Sequence, residues 1–190
     1  MRIIGGAWRG RRLRFPDVPD IRPTPDRIRE TLFNWLGAEI IGARCLDLFA
    51  GSGALGLEAL SRGAAEVIFV EKDSAAAHEL RARLLEWSAS GASNAVSGHV
   101  EHTEALRYLR ASPAGPARRP FDIVFLDPPY SSDLLASSAG LLEQAGWLRA
   151  GTLIYVETAA GGPLPALPES WSVGKAKQAG AVGYHLLRRE

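Results

Sequence analysis

The chain has 190 residues, 46% of them hydrophobic and 23% charged, and this balance is typical of a single folded domain rather than a disordered chain. The formal net charge of +1 gives no overall basic field, so charge alone does not indicate a nucleic-acid partner. The single cysteine excludes an internal disulfide and a cysteine-based zinc site, and the lack of a long uncharged apolar stretch excludes a membrane span, so we expect a cytoplasmic protein.

The first 22 residues predict an extended arm, because short apolar pieces are separated by glycines and prolines, and a hairpin fits this pattern. Thr24 then offers a hydroxyl as an N-cap, and Pro25 suits the first position of a helix. Apolar residues at helical spacing extend this helix to about residue 37. We take residues 1–37 as an N-terminal extension and residues 38–190 as the main part of one domain.

From residue 43 onward, segments with strand character alternate with amphipathic helices. The predicted strands are residues 44–48, 66–70, 95–98, 121–126, 152–157, 171–177 and 182–187. The predicted helices are residues 54–62, 74–88, a short one through Leu106 and Leu109, and 134–145. This alternation predicts an α/β fold with a doubly wound, mostly parallel seven-stranded sheet, closed at one edge by an antiparallel hairpin of the last two strands.

A glycine-rich loop stands where the first predicted strand turns into a helix, in the sequence Asp47-Leu48-Phe49-Ala50-Gly51-Ser52-Gly53-Ala54-Leu55-Gly56. Glycines at this place let the backbone turn tightly and approach a ligand. Glu71, at the end of the next strand, is suited to accept hydrogen bonds from two ribose hydroxyls. The pattern also fits a dinucleotide such as NAD, so the loop alone leaves two classes of cofactor open.

Asp47 favours one of these two classes. It precedes the first glycine by four residues, at a place where a carboxylate repels the two phosphates of a dinucleotide. S-adenosylmethionine carries an ammonium and a sulfonium group and no phosphate, so the same negative charge helps to bind it. We therefore favour S-adenosylmethionine over NAD, with an N-cap or turn role for Asp47 as the alternative.

The second chemical motif is Asp127-Pro128-Pro129-Tyr130, which follows the most apolar predicted strand. Two successive prolines fix the backbone and remove two N–H donors, which leaves the Asp127 carboxylate and the Pro128 carbonyl as acceptors for an amino group. Tyr130 supplies a flat ring on which a base can stack. Acceptors that hold both amine hydrogens turn the nitrogen lone pair toward a methyl donor and stabilise the developing positive charge. The motif predicts methylation of an exocyclic amine of a base, and a rigid proline turn is the alternative.

Beyond these two motifs, the chain resembles the RsmD family over nearly its whole length. The resemblance rests on residues 1–6, Trp8-Arg9-Gly10-Arg11, Arg22-Pro23-Thr24 with Asp26-Arg27, Arg29-Glu30-Thr31-Leu32-Phe33-Asn34, the glycine loop continued to Ala64, and residues 126–130. It implies a Rossmann-like class I S-adenosylmethionine-dependent methyltransferase that methylates N2 of one guanine, guanine 966, in 16S ribosomal RNA. The implied partner is this RNA within a 30S subunit or an assembly intermediate. We expect a monomer that needs no metal and releases S-adenosylhomocysteine.

The motifs and the resemblance together predict the site residues. We expect catalysis to depend on Asp127, Pro128, Pro129 and Tyr130. We expect cofactor contacts at Asp47, Phe49, Ala50, Gly51, Ser52, Gly53, Glu71, Lys72, Glu104 and Asp127. Glu104 aligns where the family commonly has Asp or Asn beside the adenine amine of the cofactor, and Glu101 or a backbone group is the alternative. His99 and His102 are expected in a loop and without a metal role.

The first 30 residues hold eight arginines against four acids. We predict that five of them contact RNA phosphates: Arg9, Arg11, Arg12, Arg22 and Arg27. The alternative is a solvated basic segment with ion pairs, such as Arg27 or Arg29 with Glu30. Trp8 and Phe33 are expected in the core rather than as platforms for base stacking.

Two other functions stay open at this point. An N6-adenine DNA methyltransferase would share the Asp-Pro-Pro-Tyr motif, but 190 residues leave little room for a separate target-recognition domain. A non-catalytic ribosome-assembly factor that retains the fold would not need the intact Asp127 motif and Glu71.

Overall fold

The structure is a computed structural model that describes residues 1–13, 24–89, 97–111, 119–129, 133–144, 146–162 and 164–190. Its helices are α1 (Asp26–Leu36), α2 (Ala54–Ser61), α3 (Ser74–Ala89), α4 (Ala105–Ala111) and α5 (Leu134–Gln144), with a 3₁₀ turn at Gly37–Ile40. Its strands are β1 (Arg44–Asp47), β2 (Glu66–Glu71), β3 (Ser97–His102), β4 (Phe121–Leu126), β5 (Leu148–Ala159), β6 (Trp171–Ala179) and β7 (Val182–Arg189). Within the described residues, no helix combines the length and the apolar character that crossing a membrane requires.

The strands form one sheet in the order β3-β2-β1-β4-β5-β7-β6. Strands β1 to β5 pair in parallel, and β7 pairs antiparallel with both β5 and β6. The predicted doubly wound, mostly parallel seven-stranded sheet with a terminal hairpin is therefore confirmed. The strand order reverses between β1 and β4, and in sheets of this kind ligands bind beyond the carboxyl ends of the strands at that reversal.

Side chains along the central strands alternate between two apolar layers. Phe125 belongs to a layer that also contains side chains of the N-terminal hairpin, α1, α2 and α3, whereas Val124 belongs to a layer with α4 and α5. We call these two sides of the sheet the arm face and the α4–α5 face. Trp8 and Phe33 are buried in the arm-face layer, which confirms that they are core residues.

Residues 1–13 form the predicted hairpin, which begins with an antiparallel bridge between Arg2 and Arg12. Two backbone hydrogen bonds of 2.9 Å, both involving Ile3, hold its strands together. The hairpin buries three apolar side chains against the arm face: Ile3, Trp8 and Leu13. Residues 14–23, where the rest of the predicted arm falls, lie outside the described residues.

The third strand differs from its prediction at residues 95–98. It covers Ser97–His102, so His99 and His102 lie in a strand, and the expectation of a loop is wrong. Each of its residues pairs in parallel with a residue of β2. Backbone pairing with β2, rather than burial of apolar side chains, therefore stabilises this outer strand. Because its residues are mostly polar, the strand is hard to recognise in the sequence.

The start of α1 and the start of β5 also differ from expectation. Pro25 occupies the N-cap position of α1, no side chain caps the helix, and the predicted cap by Thr24 is wrong. The Thr24 hydroxyl faces the sheet instead. Strand β5 begins at Leu148 rather than at residue 152, and it passes through Gly151 with a φ of 86°.

Candidate active site

Four acidic side chains lie at the carboxyl edge of the sheet, one from each of four adjacent strands. Glu71 and Asp47 end β2 and β1, Asp127 directly follows β4, and Glu157 lies near the end of β5. Because β4 and β5 pair in parallel up to the residues just before them, Asp127 and Glu157 are neighbours on the arm face. We call these four residues the acidic edge, and it occupies the place where such folds bind ligands.

The glycine loop follows β1 and lies close to neighbouring elements. Gly51 and Gly53 have φ values of 52° and 75°, in the left-handed region that favours glycine. A Cβ atom at Gly53 would lie 2.5 Å from Leu80 Cδ1, and one at Gly56 would lie 2.2 Å from Phe69 Cε1. The glycines thus allow the loop and the start of α2 to pack directly against α3 and β2.

Asp47 lies beneath the glycine loop. Its side chain is buried, and its Oδ2 accepts a hydrogen bond of 3.0 Å from the Gly56 amide. Burial raises the pKa of Asp47 to about 7, the Gly56 hydrogen bond opposes this change, and the charge of Glu71 adds to it. Asp47 therefore anchors the first turn of α2 from below the glycine loop.

Glu71 ties the glycine loop to the end of β2. One carboxylate oxygen accepts a hydrogen bond of 2.7 Å from the Gly51 amide, and the other accepts one of 2.7 Å from the Asp73 amide. Its side chain is 8% exposed. A carboxylate offers about four acceptor positions, so these two bonds orient Glu71 and leave it able to accept from a ligand hydroxyl.

The remaining predicted cofactor residues surround these two acids. Ala50 and Ser52 are buried in the glycine loop, and Phe49 is half-buried against the α4–α5 face. Lys72 is exposed directly after β2, and Glu104 is exposed directly before α4. The cofactor residues predicted from the sequence therefore lie along one edge of the sheet, from β1 through β2 to the end of β3.

The Asp127-Pro128-Pro129-Tyr130 motif, which we call the proline corner, follows β4 at this edge of the sheet. Asp127 is half-buried, Pro128 is buried and Pro129 is exposed. Tyr130, the fourth residue of the motif, lies outside the described residues. Because neither proline carries an N–H, the corner presents acceptors at this point of the backbone.

The electrostatic surroundings of Asp127 are acidic. Burial raises the pKa of Asp127 well above its usual range, and the charges of Glu157 and then Asp47 add to this increase. A hydrogen bond from the Thr24 hydroxyl, at 3.4 Å from Oδ2, acts in the opposite direction. Perturbed carboxylates that face one another in this way are typical of functional sites.

Three residues at this corner were missed by the sequence reasoning: Thr24, Tyr155 and Glu157. The Thr24 hydroxyl donates to Glu157 Oε1 at 2.9 Å, and the Tyr155 hydroxyl donates to the same oxygen at 2.8 Å. The one available signal was Glu157 itself, an acid at the end of an apolar run, as Asp127 is. Nothing in the sequence indicates that Thr24 reaches it.

The predicted RNA-binding arginines fall into three groups. Arg9, Arg12 and Arg27 are exposed. Arg11 is half-buried, with its guanidinium carbon 5.4 Å from the centre of the Trp87 ring, which is a cation–π distance. Arg22 lies outside the described residues.

Arg29 does not form an ion pair with Glu30, which was expected if the basic segment were merely solvated. Its guanidinium is buried and lies 2.6 Å from Asp26 and 3.3 Å from Glu58. Arg29 is therefore a core residue that joins α1 to α2, and it is not part of the exposed basic surface.

The chemistry of the acidic edge fits S-adenosylmethionine. Its carboxylates accept hydrogen bonds and carry negative charge, which suits ribose hydroxyls, an ammonium and a sulfonium group and disfavours phosphates. Within the described part of the chain, no group of three or more His, Cys, Asp or Glu side chains is arranged to hold a metal ion.

The sheet order, the glycine loop after β1 and the acidic edge define a class, the Rossmann-like class I S-adenosylmethionine-dependent methyltransferase fold. The chain is similar to the solved structure of the putative methyltransferase yhhF from Escherichia coli, with 45% identity, 100% of this chain and 98% of that chain covered, and a TM-score of 0.85. It shares its fold with an RNA methyltransferase from Salinibacter ruber that was solved with S-adenosyl-L-homocysteine, at 15% identity, 88% and 94% coverage, and a TM-score of 0.61.

A family model described as conserved hypothetical protein 95 matches residues 1–188. The chain is 47% identical over 190 residues to ribosomal RNA small subunit methyltransferase D of Escherichia coli strain K12, covering 100% of this chain and 90% of that protein. The chain belongs to this family, the RsmD family of methyltransferases, and the resemblance inferred from the sequence is confirmed.

Proposed function

We propose that this protein transfers a methyl group from S-adenosylmethionine to the exocyclic N2 atom of a guanine in 16S ribosomal RNA. The observation that carries the proposal is the position of Asp127, half-buried at the end of β4 and beside the glycine loop of β1. Membership of a family that includes a ribosomal RNA small subunit methyltransferase supports the choice of substrate.

The cofactor supplies a methyl group on a positively charged sulfur, which is electrophilic. Glu71 would accept hydrogen bonds from its ribose hydroxyls, because Glu71 is already oriented by the Gly51 and Asp73 amides. Asp47 would favour a bound cation through its charge beneath the loop. Glu104, with Glu101 as the alternative, would accept from the adenine amine.

Asp127 would hold the target amine. The Asp127 carboxylate and the Pro128 carbonyl accept its two hydrogens, which turns the nitrogen lone pair toward the methyl donor. The same carboxylate stabilises positive charge on the nitrogen as the new bond forms. Its raised pKa also makes Asp127 a competent acceptor for the proton that the amine loses. We expect the ring of Tyr130 to stack on the base.

The RNA contacts would come from the exposed arginines of the N-terminal extension. Arg9 and Arg12 lie on the hairpin, and Arg27 lies in the first turn of α1. They supply positive charge for phosphates on the side of the molecule where the hairpin packs, and we expect Arg22 to contribute as well. The proposed substrate is the RNA within a 30S subunit or an assembly intermediate, and the protein acts as a monomer in the cytoplasm.

Mass mapping of methyl groups on 16S RNA from cells with and without this protein tests the proposal. We expect one guanine to lose an N2-methyl group in the deletion strain and to regain it when the wild-type gene is returned. Return of Asp127→Ala should not restore the methyl group. Restoration by Asp127→Ala would favour a non-catalytic assembly role, and loss of N6-methyladenine from DNA would favour the DNA enzyme.

A further inference from the structure

The Thr24 hydroxyl joins three parts of the molecule at one point. It lies 2.9 Å from Glu157 Oε1 on β5 and 3.4 Å from Asp127 Oδ2 after β4, and Thr24 itself stands just before α1. A hydroxyl carries one hydrogen, so Glu157 and Asp127 share the Thr24 hydrogen as acceptors, with the shorter contact to Glu157. The Tyr155 hydroxyl donates to the same Glu157 oxygen at 2.8 Å.

This polar cluster opposes folding, since it places the buried carboxylate of Glu157 beside the half-buried carboxylate of Asp127. Glu157 is 2% exposed and Thr24 is 5% exposed. Burying a carboxylate beside another of the same charge lowers stability. The adjacent part of the arm face is apolar, with the rings of Phe125 and Tyr155 6.5 Å apart, and an apolar side chain in place of Glu157 would extend it. The position of the cluster beside Asp127 therefore points to a role in the site.

We infer that Thr24 and Glu157 are positioning residues that hold the Asp127 carboxylate in the orientation that binds the target amine. This inference rests on the proposed methyl transfer and adds two residues to its site. Glu157 fixes the Thr24 hydroxyl beside Asp127, and the Tyr155 hydroxyl fixes Glu157. Each contact restrains the next, so the carboxylate is oriented before the base arrives.

In the sequence, the cluster lies close to the proposed RNA contacts. Thr24 lies between Arg22 and Arg27 in the sequence, and both arginines are proposed to contact phosphates. If the proposed contacts are right, the segment that carries these arginines also carries the hydroxyl that lies beside Asp127.

Thr24 and Glu157 influence the proton affinity of Asp127 in opposite directions. Burial has the largest effect on the pKa of Asp127, the charge of Glu157 raises it further, and the Thr24 hydrogen bond lowers it. The other acid facing Asp127 is Asp47 from β1, which in turn faces Glu71 from β2. Glu157→Gln should therefore lower the pKa of Asp127, and Thr24→Val should raise it.

Carbon-13 NMR of carboxyl-labelled aspartate measures this titration directly, with Asp127→Asn used to assign the resonance. We expect the Asp127 pKa to move down in Glu157→Gln and up in Thr24→Val. Thr31→Val is the matched control, because the Thr31 hydroxyl donates to the Arg27 carbonyl within α1 at 3.0 Å, and it should titrate as the wild type does. Shifts in the same direction, or none in either variant, would overturn the inference.

Single-turnover methylation of 16S RNA at saturating cofactor provides the second measurement. We expect Thr24→Val to lose about tenfold in rate with unchanged cofactor affinity, as for loss of one hydrogen bond that orients a charged group. Thr24→Ser, which keeps the hydroxyl, should stay within about threefold of wild type. If the wild type does not methylate the RNA, the proposed function fails and the inference fails with it. If the wild type is active and Thr24→Val is as fast as Thr31→Val, only the inference fails.

Discussion

Two buried carboxylate sites lie on the arm face of the sheet, and their surroundings differ in charge. Glu58 of α2 is 0% exposed, and its oxygens accept hydrogen bonds from the Ile4 and Gly5 amides, both at 2.8 Å. The guanidinium groups of Arg29 and Arg62 lie 3.3 Å and 2.7 Å from it. Positive charge and N–H donors therefore surround Glu58, and the N-terminal hairpin is attached to α2 through it.

The acidic edge presents the opposite arrangement. Asp127 faces Glu157 and Asp47, and Asp47 faces Glu71, so negative groups raise the pKa of negative groups. Such a site lowers the stability of the empty protein and gains from any cation or hydrogen-bond donor that enters. We therefore expect a structural role for Glu58 and a binding role for the acidic edge.

The largest effect is expected on the stability of the protein when Glu58 is replaced. Glu58→Ala leaves the buried Arg29 guanidinium without its main partner on α2 and releases two hairpin amides. We expect the free energy of unfolding to fall by about 3–5 kcal/mol, the range for breaking a buried ion pair, in chemical denaturation. Glu39→Ala is the control, because Glu39 is exposed and 4.0 Å from Arg188, and surface pairs contribute about 0–1 kcal/mol. Equal stabilities for the two variants would refute the structural role.

The next largest effect is expected on the methylation rate when Asp127 is replaced. Asp127→Ala should lower the single-turnover methylation rate by about 10²–10³-fold, the range for loss of one preorganised electrostatic partner. The free energy of unfolding should stay unchanged or rise, since the substitution removes a carboxylate that faces Glu157. Cofactor and RNA affinities, measured by calorimetry and filter binding, should be retained. A variant within threefold of the wild-type rate would mean that the proline corner is only a turn.

Much of this site could be predicted because its parts are local in sequence. Asp47 and Glu71 each end a strand and Asp127 directly follows one, the apolar residues of these strands reveal them, and parallel strands bring their carboxyl ends to one edge. Glycine tolerates unusual backbone conformations and proline restricts them, so the glycine loop and the double proline can be recognised directly from the sequence. Those features need no knowledge of distant contacts.

The missed residues depend on contacts between distant parts of the chain. Thr24 meets Glu157 across 133 positions, and Ile4 meets Glu58 across 54. A threonine before a proline resembles a helix cap until β5 is placed beside it, and a glutamate inside α2 resembles a surface residue until the hairpin covers it. Strand β3 was misplaced for a related reason, because it depends on the backbone of β2 rather than on its own side chains.

The stability of the protein is expected to depend on pH through Asp47. Its pKa is raised from 3.8 to about 7, first by burial, so between these values the folded state holds a proton that the unfolded state has lost. The stability that Asp47 contributes is therefore lost as the pH rises through this range, with a slope of at most about 1.4 kcal/mol per pH unit. Asp47→Asn should remove this slope when unfolding is measured from pH 4 to 8. An identical pH profile for the two proteins would contradict the raised pKa.

The smallest effect is expected on RNA binding, where two exposed arginines should differ from one that is packed. Arg9 and Arg12 extend from the hairpin into solvent, whereas Arg11 lies over the Trp87 ring. The first two are available for phosphates, and the third contributes to holding the hairpin against α3.

Replacement of both Arg9 and Arg12 by alanine should weaken RNA binding and reduce the slope of log affinity against log salt. Each phosphate contact that is lost reduces this slope by a little under ~1, and cofactor affinity should not change. Arg11→Ala should leave the slope closer to that of the wild type and reduce stability by about 0.5–1 kcal/mol, the range for an exposed cation–π contact. The charge-matched control replaces Arg107 and Arg110, which are exposed on α4 on the opposite side of the sheet. If the control changes the salt slope as much as the hairpin variant does, the RNA does not distinguish the arm from the rest of the surface, and these arginines are merely solvated.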